Sequence, residues 1–208
     1  MKKINWKLYF IADKETAGEK DILNIIKQAV KGGVTVVQLR AKTLSTREFF
    51  ELGKKVFDCL KSKGIPFIIN DRIDIALALS ADGVHLGQQD MALNIARKIL
   101  GKEKIIGISV NTVKEAIEAE KGGADYLGVG PAFPTHTKPD IRTPFGIDGL
   151  KKIRQQIKIP IIAIGGIDKS NAKEVFKTGV DGIAVVSAIV LSNNPKQAAV
   201  DLLKELKK

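Results

Sequence analysis

Two carboxylates, Asp71 and Asp90, each stand just beyond a short apolar run, and the cations Arg40, Lys42 and Lys138 stand beyond others. A few hard oxygen ligands are what Mg²⁺ uses when substrate phosphates and water complete its shell. A planar guanidinium and two ammonium point charges are the groups that hold and neutralise a diphosphate. Each residue also has a plainer role open to it: helix capping for either Asp, solvation for either Lys. Arg40 differs, because it closes an apolar run where an unpaired charge is costly.

A second set points to a phosphate. Gly165 and Gly166 follow one apolar run, and Val186 and Ser187 end the next. Bare backbone N–H groups beside a helix start can converge on phosphate oxygens. A glycine pair alone is more often a tight turn, so the weight comes from its pairing with Ser187. His85 lies inside an apolar run and reads as a hydrogen-bonded core histidine, and no catalytic role is assigned to it. His136 has no evident partner, and Cys59 falls on the buried side of a helical pattern.

The elements that must position these residues follow from a recurring unit, in which a glycine-ended amphipathic stretch leads directly into an apolar one. Four copies are visible: Lys31 to Arg40, Ser80 to Gly87, Lys121 to Gly130 and Lys177 to Val186. Glycine past the last helical turn supplies a left-handed cap, and the run after it reads as a strand buried on both faces. Filling in between the copies predicts eight strands, near residues 7–12, 35–40, 66–70, 83–86, 104–108, 125–129, 160–164 and 182–186. The clearest helices fall at 19–31, 46–63, 112–122, 147–157, 169–178 and 195–207, with Ser45, Asn111 or Thr112, and Asp168 as N-caps. Two shorter ones are expected near 72–80 and 91–100.

Strict alternation demands right-handed parallel crossovers, and eight units favour an α/β single-domain (β/α)8 TIM barrel spanning 1–208 over an open sheet. In such barrels chemistry gathers at the carboxyl ends of the strands, where the carboxylates, cations, glycine pair and Ser187 above are placed. The one long connection, 131–146, carries Thr135, Thr137 and Lys138.

Composition narrows the class. With 44% hydrophobic and 27% charged residues the chain expects a globular core, and a lone cysteine excludes an internal disulfide framework. No apolar run reaches membrane-spanning length, and Met1–Phe10 lacks the apolar stretch and small-residue site of a secretory leader, so a cytoplasmic protein with no membrane partner is expected. The net charge of +11 is spread over helical lysines such as Lys27, Lys54, Lys114 and Lys151, without interleaved aromatics. Nucleic acid is therefore not expected as a partner, while small phosphorylated molecules suit the charge. Homo-oligomer formation is left open.

As a set, these residues resemble the thiamine phosphate synthase (thiamine-phosphate pyrophosphorylase) family from Tyr9 to about Ile189. The motifs that carry the resemblance are Gln38-Leu-Arg-Ala-Lys42, Ile69-Asn-Asp-Arg72, Asp82 to Gln88 with Asp90, and Gly107-Ile-Ser109. Gly128 to Pro131 with Thr135 to Lys138, Ala163 to Ile167 and Val185 to Ile189 complete it in family order. The resemblance implies that Gln38, Arg40, Lys42, Asn70, Ser109 and Lys138 contact an aminopyrimidine methyl diphosphate. It implies Mg²⁺ on Asp71 and Asp90, and a thiazole phosphate at Thr135, Thr137, Gly166, Val186 and Ser187. Arg40, Lys42, Ser109 and Lys138 would then assist departure of diphosphate as the thiazole nitrogen takes its place, giving thiamine phosphate. A thiazole tautomerase of the same superfamily is the nearest rival, but those relatives carry a histidine where this chain has Gly130-Pro131. A non-catalytic barrel that binds phosphorylated ligands is the second, set against the complete diphosphate set.

Overall fold

A computed structural model of the chain describes residues 4–135 and 143–207. Eight parallel strands close on themselves in sequence order, β1 pairing with β8. They are β1 (Leu8–Asp13), β2 (Val36–Arg40), β3 (Phe67–Asn70), β4 (Gly83–Leu86), β5 (Ile105–Val110), β6 (Tyr126–Val129), β7 (Ile161–Ile164) and β8 (Gly182–Val185). Helices intervene: α1 (Lys14–Ala17) and α2 (Ile22–Lys31) after β1, α3 (Thr46–Lys61) after β2, α4 (Ile73–Ala78) after β3 and α5 (Leu93–Leu100) after β4. Then come α6 (Val113–Lys121), α7 (Gly146–Gln156), α8 (Ala172–Phe176), and α9 (Ser187–Val190) with α10 (Pro195–Glu205) closing the ring. This is the (β/α)8 barrel expected from the alternation.

The side-chain period of two divides the core into two layers. Outward residues such as Phe10, Leu39, Ile69, Val84, Ile106, Leu127, Ala163 and Val185 pack against the helices. Inward residues Tyr9, Ile11, Val36, Ile68, Ile105, Tyr126, Ile162 and Ala184 fill the lumen as a separate cluster. The same parity turns Gln38, Asn70, His85 and Ser109 inward, toward the carboxyl end, because each lies an even number of residues along its strand from Val36, Ile68, Gly83 or Ile105. A polar residue at an inward position near the strand end thus becomes a pocket residue.

Helix starts follow their side chains. Ser45 and Glu48 form a reciprocal capping box on α3, and these bonds hold the Glu48 carboxyl below its usual range. Thr112, of the two candidates, caps α6 by accepting from the Glu115 N–H at 3.0 Å. Asp168 differs from expectation: its carboxylate accepts from Ser170 N–H and O–H, stabilising a turn, and α8 begins only at Ala172 behind Asn171. The glycine rule also has one exception. Gly33, Gly123 and Gly179 take φ of 100°, 87° and 90°, but in the second unit Ser80 takes the left-handed angle and Gly83 enters the strand. Cys59 is half-buried instead of buried. Among the described residues no helix is long and apolar enough to cross a membrane.

Candidate active site

A cavity of about 320 Å³ opens at the carboxyl ends of the strands. It gathers Gln38, Arg40 and Lys42 from the end of β2, Asn70 and Asp71 from β3, Asp90 beyond β4 and Ser109 from β5. Thr135, Gly166, Val186 and Ser187 line it as well. Every expected site residue that is described is therefore at one pocket. Thr137 and Lys138, with His136, lie outside the described residues.

Arg40 is placed by register. Its Cα partner across β1 is Asp13, and its guanidinium pairs with that carboxylate and, at 3.4 Å, with Glu15. The pairing corrects one premise of the sequence reading: Arg40 is not an unpaired charge demanding a ligand, since two carboxylates neutralise it. Asp13 is 2% exposed and is itself fixed by the Thr16 N–H at 2.7 Å, so the guanidinium is held rigidly at the cavity wall. Asp13 was not foreseen because the strand pattern was read only to residue 12. Its parity with Tyr9 and Ile11 was the signal available.

Asp71 and Asp90 come together at the rim. Asp71 adopts φ of 59°, a left-handed angle that few residues other than glycine accept, and its backbone N–H donates to the His85 carbonyl at 2.9 Å. Burial pushes its carboxyl pKa up, and the Asp90 carboxyl, by hydrogen bonding and by charge, pushes it further. The Lys42 ammonium, 3.1 Å away, partly opposes this. Asp90 accepts the Gly87 N–H at 2.7 Å, which fixes its carboxylate over the end of β4. Lys42 thus has a carboxylate partner that sequence spacing could not reveal. Arg72, next in line, turns away to Asp74 and Thr46.

On the opposite wall Gly165 and Gly166 take φ of 99° and 63°, and a Cβ on Gly166 would come within 2.6 Å of the Pro134 carbonyl oxygen. Only glycine allows the β7 loop to pack this close to the segment bearing Thr135. Ser187 opens α9 directly after β8, so backbone and hydroxyl groups from two loops border the same space. Asn111 also lines the cavity, donating from Nδ2 to the Gly130 carbonyl oxygen.

Beneath these groups, His85 lies between the Tyr126 hydroxyl, 2.9 Å from Nδ1, and the Ser109 hydroxyl, 2.8 Å from Nε2. The hydrogen-bonded histidine expected from sequence is present, and its place at the cavity floor is the added finding. Tyr9 and Tyr126 were not foreseen as pocket residues. Both rings belong to the apolar lumen cluster, and both end in polar contacts.

A family model described as thiamine monophosphate synthase matches residues 8–189. The thiamine-phosphate synthase of Clostridium botulinum strain Kyoto is 54% identical over 201 residues, covering 97% of this chain and 98% of that one. The corresponding synthase of Clostridium novyi strain NT is 55% identical over 196 residues, with 94% and 96% covered. Among solved structures, thiamine phosphate pyrophosphorylase from Pyrococcus furiosus superposes with a TM-score of 0.89 at 44% identity, covering 97% of this chain and 96% of that one. With the pocket, the family match and near full-length relatives in agreement, the chain belongs to the thiamine monophosphate synthase family and is a transferase of thiamine biosynthesis.

Proposed function

We propose that this cavity joins 4-amino-2-methyl-5-(diphosphooxymethyl)pyrimidine to 4-methyl-5-(2-phosphooxyethyl)thiazole, releasing thiamine phosphate and diphosphate, with the two substrates held on opposite walls. The observation that carries the division is the cavity's polarity: cations and paired carboxylates from the β2, β3 and β4 ends face glycine and hydroxyl groups from the β6, β7 and β8 ends. Gln38, Asn70 and Ser109 orient the aminopyrimidine, while Arg40 and Lys42, joined by Lys138, hold its diphosphate. Gly166, Val186 and Ser187, with Thr135 and Thr137, receive the thiazole phosphate. Partners are small molecules, and the location is the cytoplasm.

Asp71 and Asp90 fit Mg²⁺. Two crowded carboxylates with a raised Asp71 pKa form an electrostatic strain that a divalent cation relieves, and two protein oxygens are few enough for diphosphate and water to complete the shell. An ion held by these two carboxylates would supply positive charge against the leaving diphosphate. Arg40 and Lys42 act on the same charge from the β2 side, and their preset positions spare reorganisation during the reaction. Asp13 and Glu15 keep Arg40 aimed without removing it from the wall. As the C–O bond to diphosphate breaks, its electron pair leaves with diphosphate, and the electron-rich aminopyrimidine spreads the positive charge left on its methylene. The thiazole nitrogen lone pair then forms the new C–N bond. No covalent enzyme nucleophile is needed.

Asp90→Asn tests the assignment. Asn preserves the acceptor for the Gly87 N–H but removes the charge, so turnover should fall roughly 100-fold, with partial rescue at raised Mg²⁺ and an unchanged melting temperature. Near-wild-type turnover at limiting Mg²⁺ would show that Asp90 serves only the Gly87 turn.

A further inference from the structure

Five polar side chains of the lumen form one unbroken chain from the β2 wall to the β5 wall. Gln38 Nε2 donates to the Tyr9 hydroxyl at 2.9 Å, and the Tyr9 and Tyr126 hydroxyls lie 2.8 Å apart. Tyr126 then meets His85 Nδ1 at 2.9 Å, and His85 Nε2 meets the Ser109 hydroxyl at 2.8 Å. Two glycines make room for it. A Cβ on Gly107 would fall 2.1 Å from the Tyr126 ring, and one on Gly128 would fall 2.8 Å from the His85 ring.

Such a chain has a direction. Both tyrosines are 1% exposed, and burial raises both phenol pKa values, so each hydroxyl keeps its single proton. A hydroxyl that accepts from one neighbour passes its own proton to the next. Because Gln38 gives an amide N–H to Tyr9, Tyr9 donates to Tyr126, and Tyr126 donates to His85 Nδ1. An accepting Nδ1 places the proton of the neutral imidazole on Nε2, which donates to Ser109. The two ends are then settled: Gln38 offers its carbonyl oxygen, an acceptor, and Ser109 its hydroxyl proton, a donor, to the cavity that both line.

We propose that Tyr9, Tyr126 and His85 are positioning residues that fix this donor and acceptor pattern, and thereby select an amino over an oxo pyrimidine. The inference rests on the reading that Gln38 and Ser109 hold the pyrimidine. An aminopyrimidine brings exocyclic N–H donors and ring-nitrogen acceptors, matching both ends. The oxo form brings a carbonyl acceptor that meets the Gln38 carbonyl like against like, and a ring N–H that leaves the Ser109 hydroxyl proton without its acceptor. Accommodating it requires reversing every bond in the chain, including the His85 tautomer and the Gln38 amide. Sites whose buried polar groups are left unmatched reject a ligand by orders of magnitude.

The chain contains two histidines, so ¹⁵N-histidine labelling resolves the His85 ring by NMR. Neutral, Nε2-protonated His85 is expected in the wild type, and a mixture of tautomers in Tyr126→Phe, which removes one hydroxyl and keeps the ring. In parallel, kcat/KM is measured for the 4-amino and 4-oxo pyrimidine methyl diphosphates. The wild type should prefer the amino form by roughly 1,000-fold or more, and Tyr126→Phe should narrow that preference at least about tenfold. Tyr9→Phe breaks the chain one link earlier and should act alike, which covers the case in which Tyr126→Phe does not fold. An undiminished preference in both variants at unchanged melting temperature, or Nδ1-protonated His85 in the wild type, overturns the proposal. Absence of turnover of the amino substrate by the wild type would instead sink the underlying assignment of the pyrimidine wall. The tautomer measurement needs no substrate and decides the network in either case.

Discussion

Asp71 sits at a backbone angle that few side chains accept, beside a second carboxylate, with Lys42 as its counter-charge. Residues held in sparsely populated backbone regions persist only where their surroundings impose them, and they gather at functional sites. The raised pKa has a consequence for stability. A carboxyl whose folded pKa exceeds its unfolded value, about 3.9 for Asp, favours the folded state at low pH, and that contribution is lost as pH rises through the folded pKa. At pH 7 and without metal, Asp71 therefore works against folding. Asn accepts the left-handed angle equally well, so metal-free Asp71→Asn should withstand more urea than the wild type at pH 7, with the advantage shrinking toward pH 4, while its Mg²⁺-dependent turnover falls. A variant less stable than the wild type at pH 7, with the deficit shrinking toward acid pH, would mean that the Lys42 pair outweighs the Asp90 repulsion.

The strands show how parity, more than composition, builds the site. All eight were legible in the sequence to within two residues at each end, because β-branched runs between glycine-capped helices leave little alternative. The one-turn helices α1 and α9 were not, since four residues are too few to display a helical period. Rim residues were legible because they end apolar runs. Their partners Asp13, Tyr9 and Tyr126 were hidden, as strands buried on both faces read as continuous runs and conceal which face is the lumen. Lys42 with Asp71 and Arg40 with Asp13 are pairings across elements, which no local spacing encodes. Gly107 tests the lumen directly. Its position on β5 faces Tyr126, so Gly107→Ala drives a methyl into the ring and should cost about 1–3 kcal/mol in urea unfolding. A wild-type midpoint would mean that the lumen has slack that the close contacts do not suggest.

At the scale of the molecule, the barrel brings eight segments scattered along the sequence, one from each strand end, to one cavity of about 320 Å³, large enough for the reacting ends of two small phosphorylated substrates. The excess of 34 basic over 23 acidic residues favours anionic ligands in general, whereas Asp71 and Asp90 gather negative charge at one rim. The reaction proposed for this cavity has diphosphate leave the pyrimidine methylene before the thiazole nitrogen forms the new bond. Its most direct measurement is product analysis after the wild-type chain is incubated with the pyrimidine diphosphate, the thiazole phosphate and Mg²⁺. The expected result is thiamine phosphate and diphosphate in equal amounts, abolished when Mg²⁺ is chelated. Release of diphosphate without thiamine phosphate, or no consumption of either substrate, would contradict it.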